Sequence, residues 1–199
     1  EPVDNGDPKG EDTNSIPVDT SDIPVDTNEP VLIPWETYTI KQGQHYNSLR
    51  TFELFPEDSM EFQVVFDSTV VYQTTDPSNQ ADWNKLMGFS DCGSFHQQNS
   101  VRLVWRYLPK DGVQIGEYYY IDGKRSFNMI KKAGIGDTVS AVIYTKSGEY
   151  RLRVEDKTSS KKRACDNSIG RYALYPYFGG DETAPHDIQI HIRQLYPLL

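Results

Sequence analysis

Apolar and polar residues alternate with period two along much of the chain after Trp35. Over residues 100–107, Val101, Leu103, Trp105 and Tyr107 fall on one side of an extended strand. Ser100, Arg102, Val104 and Arg106 fall on the other. Residues 61–66 alternate and then become wholly apolar, and Ile188, Ile190 and Ile192 give a last strand one buried face. Residues 113–121, 138–145, 150–154 and 172–178 read as further strands, with turn signals at Asp122-Gly123 and Ser147-Gly148. Helical periodicity is weak; residues 82–87 accommodate one turn at most. Many short strands separated by Gly and Asp turns predict an all-β fold, two antiparallel sheets stacked as a sandwich or jelly roll over residues 35–199.

The alternation is missing before residue 35. That segment instead repeats Ile16-Pro17-Val18-Asp19-Thr20 as Ile23-Pro24-Val25-Asp26-Thr27, and the proline in each unit rules out a heptad coil. All 24 aromatic residues lie from Trp35 onward. Residues 1–30 hold nine acids and one base, a charge of −8, which leaves −1 of the chain's −9 for the other 169 residues. A charged segment without aromatics does not bury enough apolar surface to offset chain entropy. Residues 1–34 are therefore expected to be a disordered acidic tether, an extended spacer that lifts the domain off a surface. A ragged terminus without a role is the alternative.

Charge and cysteine content change the picture further. A nearly neutral domain argues against nucleic acid as a partner, since phosphate binding needs a concentrated basic surface. No apolar run is long enough to span a membrane, and a chain opening at Glu1 reads as a processed product whose targeting segment has been removed. Cys92 and Cys165 are expected to form a disulfide if the protein is exported, closing a loop of roughly 70 residues. Two buried thiols are the alternative; a zinc site is not expected, because neither cysteine has another nearby.

The polar residues Asn84, Lys85, Ser90, Asp91, His96, Asn99, Ser100 and Arg102 cluster in sequence. Such groups are either paired with one another to hold strands together or presented to a ligand. Arg102 lies opposite Trp105, and Tyr118 and Tyr120 share a face of their strand. If these meet on one sheet they make a glycan platform: aromatic rings stack on sugar C–H groups, and a guanidinium grips hydroxyls or a uronate. Half-buried tyrosines with wet hydroxyls are the competing reading. His186 and His191 point to opposite faces of a strand and do not share a metal ion. Gly179-Gly180-Asp181-Glu182 offers oxygen ligands to calcium, or is an ordinary loop. No nucleophile motif, zinc-protease motif or paired-carboxylate strand of a glucanase is present.

The stretch Asn84-Lys85-Leu86-Met87-Gly88-Phe89-Ser90-Asp91-Cys92, running on through His96 and Arg102, resembles a group of exported proteins and lipoproteins of Bacteroidetes-type bacteria. So does Tyr177-Phe178-Gly179-Gly180-Asp181-Glu182-Thr183-Ala184-Pro185-His186-Asp187-Ile188. The resemblance implies a concanavalin A-like jelly roll, a fold shared by lectins, glucanases and polysaccharide lyases. It also implies export to the cell surface or periplasm through an N-terminal lipid anchor. The expected function is non-catalytic carbohydrate binding by a monomer, using Arg102, Tyr118, Tyr120, Asn84 and His96. The alternatives are a polysaccharide lyase on a uronate-containing glycan and an adhesive surface protein without a small ligand. Replacing Arg102 by Ala is expected to abolish binding with little change in melting temperature.

Overall fold

The computed structural model describes residues 33–50, 53–167 and 169–195. Nearly all of the expected tether, residues 1–32, lies outside the described residues. In the domain that follows, the described strands are β1 (Glu36–Ile40), β2 (Glu53–Leu54), β3 (Ser59–Phe66), β4 (Asn84–Ser90), β5 (Ser100–Leu108) and β6 (Gly112–Ile121). They continue with β7 (Lys124–Ala133), β8 (Thr138–Lys146), β9 (Glu149–Val154), β10 (Lys157–Lys162), β11 (Tyr172–Leu174) and β12 (Ile188–Leu195). These strands form two antiparallel six-stranded sheets, ordered β1-β12-β3-β8-β9-β10 and β2-β11-β4-β5-β6-β7. The fold is the expected two-sheet jelly-roll sandwich.

The alternation read from the sequence puts the apolar faces of both sheets against each other. Phe62, Val64 and Phe66 of β3, Val139, Ala141 and Ile143 of β8, and Ile188, Ile190 and Ile192 of β12 meet Val101, Leu103 and Trp105 of β5 and Ile115 of β6 in one core. Each large apolar side chain buried there stabilises the fold by about 1.5–3 kcal/mol. Residues 82–87 are not a helical turn, because Asn84–Ser90 is the strand β4, covered on both faces and therefore without visible alternation. Residues 172–178 are strand only as far as Leu174, and Pro176 follows, consistent with its inability to donate to a ladder. Edge strands β7 and β10 are rich in Lys and exposed, so their sequence carries little apolar signal.

One end of the sandwich is closed by covalent and ionic links. Cys92 and Cys165 form the disulfide, joining the end of β4 to the segment after β10. Such bonds persist in oxidising compartments, which favours a periplasmic or extracellular setting. Beside it the fully buried Asp91 accepts from Arg163 Nε at 2.7 Å and from Arg171 Nε at 2.8 Å. Arg171 also donates to Asp58 Oδ1 at 2.8 Å and to the Glu57 carbonyl at 2.9 Å. Part of the polar cluster therefore has the strand-holding role: Ser90 Oγ accepts from Tyr172 N, and Asn99 Oδ1 accepts from Asp122 N.

Burial alone raises the Asp91 carboxyl, but bonds from the two guanidiniums outweigh it and hold it below the usual range. Its contribution is therefore complete above about pH 4, the carboxyl's unfolded value, and is lost as pH falls through the lower folded value. Asp91→Asn leaves two buried guanidiniums short of a counter-charge and should destabilise the oxidised protein by about 3–5 kcal/mol at neutral pH. Urea denaturation of both proteins checks this: the gap should hold from pH 7 to about 4 and narrow below. A gap that is constant through the acid range would show that Asp91 does not carry it.

Candidate functional site

Cross-strand register decides which residues share the outer face of the second sheet. Arg102 pairs with Tyr118, and Tyr118 with Phe127; Ser100 pairs with Tyr120, and Tyr120 with Arg125. Gly88 sits on the other side of Arg102, followed by Leu174. Directly paired residues project to the same side, so Arg102, Tyr118, Tyr120, Phe127 and Arg125 form one surface. Val104, Tyr118 and Trp83 make a small buried cluster on this face, with Tyr120 packed against it. Trp83 lies over Gly116, where a Cβ would come within 2.9 Å of the indole, and the Arg106 guanidinium stacks 4.2 Å from its ring centre. The indole is thus held between Gly116 and the Arg106 guanidinium.

Arg102 is the centre of the arrangement. A register shift between Lys85 and Gly88 takes Leu86 out of the ladder, and its carbonyl accepts from Arg102 Nη2 at 3.0 Å. The same nitrogen donates to the Tyr175 carbonyl at 2.8 Å, which ties β5 to the chain just past β11. Arg102 is only 7% exposed, its Nε has no partner, and no carboxylate pairs with it among the described residues. Burial pushes its pKa down to about 9, so it remains charged at neutral pH. The groups that favour its charged form are the phenols of Tyr118, Tyr172 and Tyr177. A cleft of about 90 Å³ opens between Arg102, Tyr46, Arg50 and Tyr177.

Further groups surround this cation. Lys85 Nζ donates to the Trp83 carbonyl at 2.8 Å and lies 5.2 Å from the Tyr118 ring centre. Burial, and then repulsion from Arg102, lower its pKa to about 8. Burial, and then the hydroxyl of Tyr120, push the Tyr118 phenol up to about 12, so it keeps its proton. His96 Nδ1 lies 3.0 Å from the Tyr172 hydroxyl, which also accepts from His96 N at 2.8 Å. Burial and Arg102 both lower the His96 pKa, so the imidazole is neutral at pH 7.

Of the five candidates, Arg102, Tyr118 and Tyr120 share the face, and His96 joins them through Tyr172 and the field of Arg102. Asn84 does not belong there. It pairs with the inward-facing Trp105, is 1% exposed, and spends its amide on the Tyr72 hydroxyl at 2.9 Å and on Gly179 N at 2.8 Å. Its work is to fasten β4 to the loop at residue 179. Sequence reading missed Lys85 as a neighbour of Tyr118, and missed Tyr46, Tyr172, Tyr177 and Trp83. Tyr177 reaches the face through isolated pairings with Tyr46 and Lys85.

The side chains considered as metal ligands make hydrogen bonds within the protein. Both Glu182 oxygens accept N–H bonds, from Thr75 N, Asp76 N and the Asn79 amide, which secures the loop. His191 bonds Thr37 and Asp67, whereas His186 bonds the Thr69 carbonyl.

No protein-family model matches the chain, and no curated protein matches it. Solved structures do share its fold. The alginate lyase AlyC3 superposes with a TM-score of 0.56 at 9% identity, covering 80% of this chain and 73% of that one. A GH16 protein of the Bacteroides ovatus mixed linkage glucan PUL, in complex with a product, gives 0.52 at 8% identity, covering 84% of this chain and 83% of its own. The structural neighbours are thus jelly-roll proteins that act on glycans. No family or sequence match ties this chain to the Bacteroidetes-type group or to lipoproteins.

Gly88 is required for this geometry. A Cβ there would stand 2.2 Å from Arg102 Cβ and 2.2 Å from the Val101 carbonyl oxygen, contacts that no flexible side chain relieves. Gly88→Ala should destabilise the fold by about 1–3 kcal/mol through overpacking. Thermal denaturation checks this; an unchanged midpoint would mean that β4 does not need to approach β5 this closely.

Proposed function

We propose that the outer face of the second sheet binds an acidic, uronate-containing glycan, with Arg102 taking a uronate carboxylate. The observation that carries this reading is a buried guanidinium without a counter-ion, set among aromatic rings. An unpaired buried charge costs several kcal/mol. A carboxylate entering beside it removes that cost and gains a charge-assisted hydrogen bond. Tyr120, Tyr177 and Phe127 offer ring faces for sugar C–H groups, with the buried Tyr118 beneath them. The glycan-active neighbours support the class of ligand, and the cations around Arg102 support its charge.

Titration calorimetry with polyuronate and with a neutral glucan tests this. Arg102→Ala should weaken polyuronate binding by at least about 2 kcal/mol, roughly 30-fold. The variant also strands the Leu86 and Tyr175 carbonyls, so it should lose about 1–3 kcal/mol of stability. The two carbonyl contacts thus argue for a lower melting temperature where the sequence alone suggests little change. The Lys85 ammonium loses its proton as pH rises through about 8, so binding should weaken across that range, and Lys85→Gln should flatten the profile. Equal affinity for neutral glucan, or no effect of Arg102→Ala, would sink the proposal.

A second reading, elimination of the uronate rather than its binding alone, is favoured by the Tyr172–His96 pair. A base removes the proton α to the carboxylate while Arg102 stabilises the charge that develops there. The C4–O bond then breaks, and an acid protonates the leaving oxygen. His96 is positioned to accept the Tyr172 proton, and Tyr118, protonated at neutral pH, is available as the acid. Ultraviolet absorbance of the unsaturated product should rise on incubation with polyuronate and disappear with Tyr172→Phe. A flat trace on every uronate polymer removes elimination and leaves binding.

A further inference from the structure

A second cationic cleft lies beside this face. The β6–β7 turn and the edge strand β10 enclose a space of about 500 Å³ lined by Lys124, Arg125, Lys161 and Lys162, with Asp122 as its one carboxylate. None of these four cations is ion-paired among the described residues, whereas Lys132 and Lys157 elsewhere on the same two strands hold Asp111 and Asp156. Lysines on edge strands also block sheet-to-sheet pairing. That role does not explain why cations from both sheets converge on one cleft. Lys161 pairs with the inward-facing Tyr150 and so projects toward the second sheet, as does Ser159, whose hydroxyl is 3.1 Å from that of Tyr119.

The cleft and the tyrosine face are one continuous surface, because Arg125 belongs to both. It lines the cleft, pairs with Tyr120, and sits 5.6 Å from the Phe127 ring centre. Arg125 stands two strands away from Arg102, about 10 Å across the sheet. We infer that the bound chain is a polyanion carrying charge on successive residues. It would cross from Arg102 over Tyr118 and Tyr120 to Arg125, Lys161 and Lys162, so that the cleft is a distal subsite for block polyuronate. This rests on the proposed uronate reading of the tyrosine face and extends it from a single carboxylate to a charged run.

Binding of a uronate disaccharide and a uronate hexasaccharide to wild type and to the Lys161→Ala/Lys162→Ala variant distinguishes the two claims. Both lysines are exposed on an edge strand, and an unchanged melting temperature confirms that the variant is folded. The expected result is hexasaccharide binding weakened about tenfold, with a shallower salt dependence, and disaccharide binding unchanged. Equal loss for both lengths, or loss for neither, overturns the distal subsite while leaving the uronate reading intact. Wild type that binds neither oligosaccharide removes both. Single-stranded DNA bound as tightly as the hexasaccharide through the same lysines would also overturn the assignment to a glycan.

Discussion

A guanidinium buried without a counter-ion is the constraint around which the second sheet is arranged. Among the described residues three arginines are buried, and they are treated differently. Arg163 and Arg171 converge on the fully buried Asp91, and Arg171 reaches Asp58 as well. Arg102, buried almost as deeply, receives only two backbone carbonyls. The first arrangement is complete: charge is met by charge, and removing any partner costs stability. The second is incomplete in the folded protein. Sites where a chain departs from otherwise consistent polar pairing are where function is expected. On the proposed uronate reading, this contrast is what singles out Arg102 from the set.

The backbone is shaped to keep that departure in place. The register shift in β4 frees a carbonyl for Arg102, and Gly88 lets the strand pass against Arg102 without a Cβ between them. Asn84 fastens the start of β4 to the loop at residue 179, and the disulfide with Asp91 fastens its end. The strand is thus held at both ends while its middle departs from regular pairing. Local irregularity of this kind persists when its surroundings over-determine it.

Much of the fold was legible because burial on one face writes itself into the chain as alternation. Val101, Leu103 and Trp105, and Ile188, Ile190 and Ile192, need no structure to be assigned to a core. The same logic hides β4, buried on both faces, and β7 and β10, buried on neither. At the site, parity along one strand correctly grouped Tyr118 with Tyr120. It carried no information about Asn84 relative to Arg102, because that depends on the register between strands. One position decides it: Asn84 faces inward because it pairs with Trp105. Tyr177 and Lys85 meet through an isolated pairing between distant segments, which leaves no periodic trace.

Net charge says little for a related reason. The near-zero formal charge of the domain is only an argument against nucleic acid, and the field at a surface depends on where charges sit rather than on their sum. Several carboxylates are ion-paired elsewhere: Asp91 in the buried end, Glu36 and Glu53 on Arg50, Asp187 on Lys41. Among the described residues, the cations Arg102, Arg125, Lys161 and Lys162 have no such partners and lie on one continuous side. Pairing some charges and withholding others produces a directed positive field from a neutral composition. The field costs little in water at the exposed lysines and most at Arg102, where burial removes the solvent that would otherwise screen it. On the proposed reading, an anionic chain would gain most from the contact at Arg102, and the outer lysines would steer it there and align it.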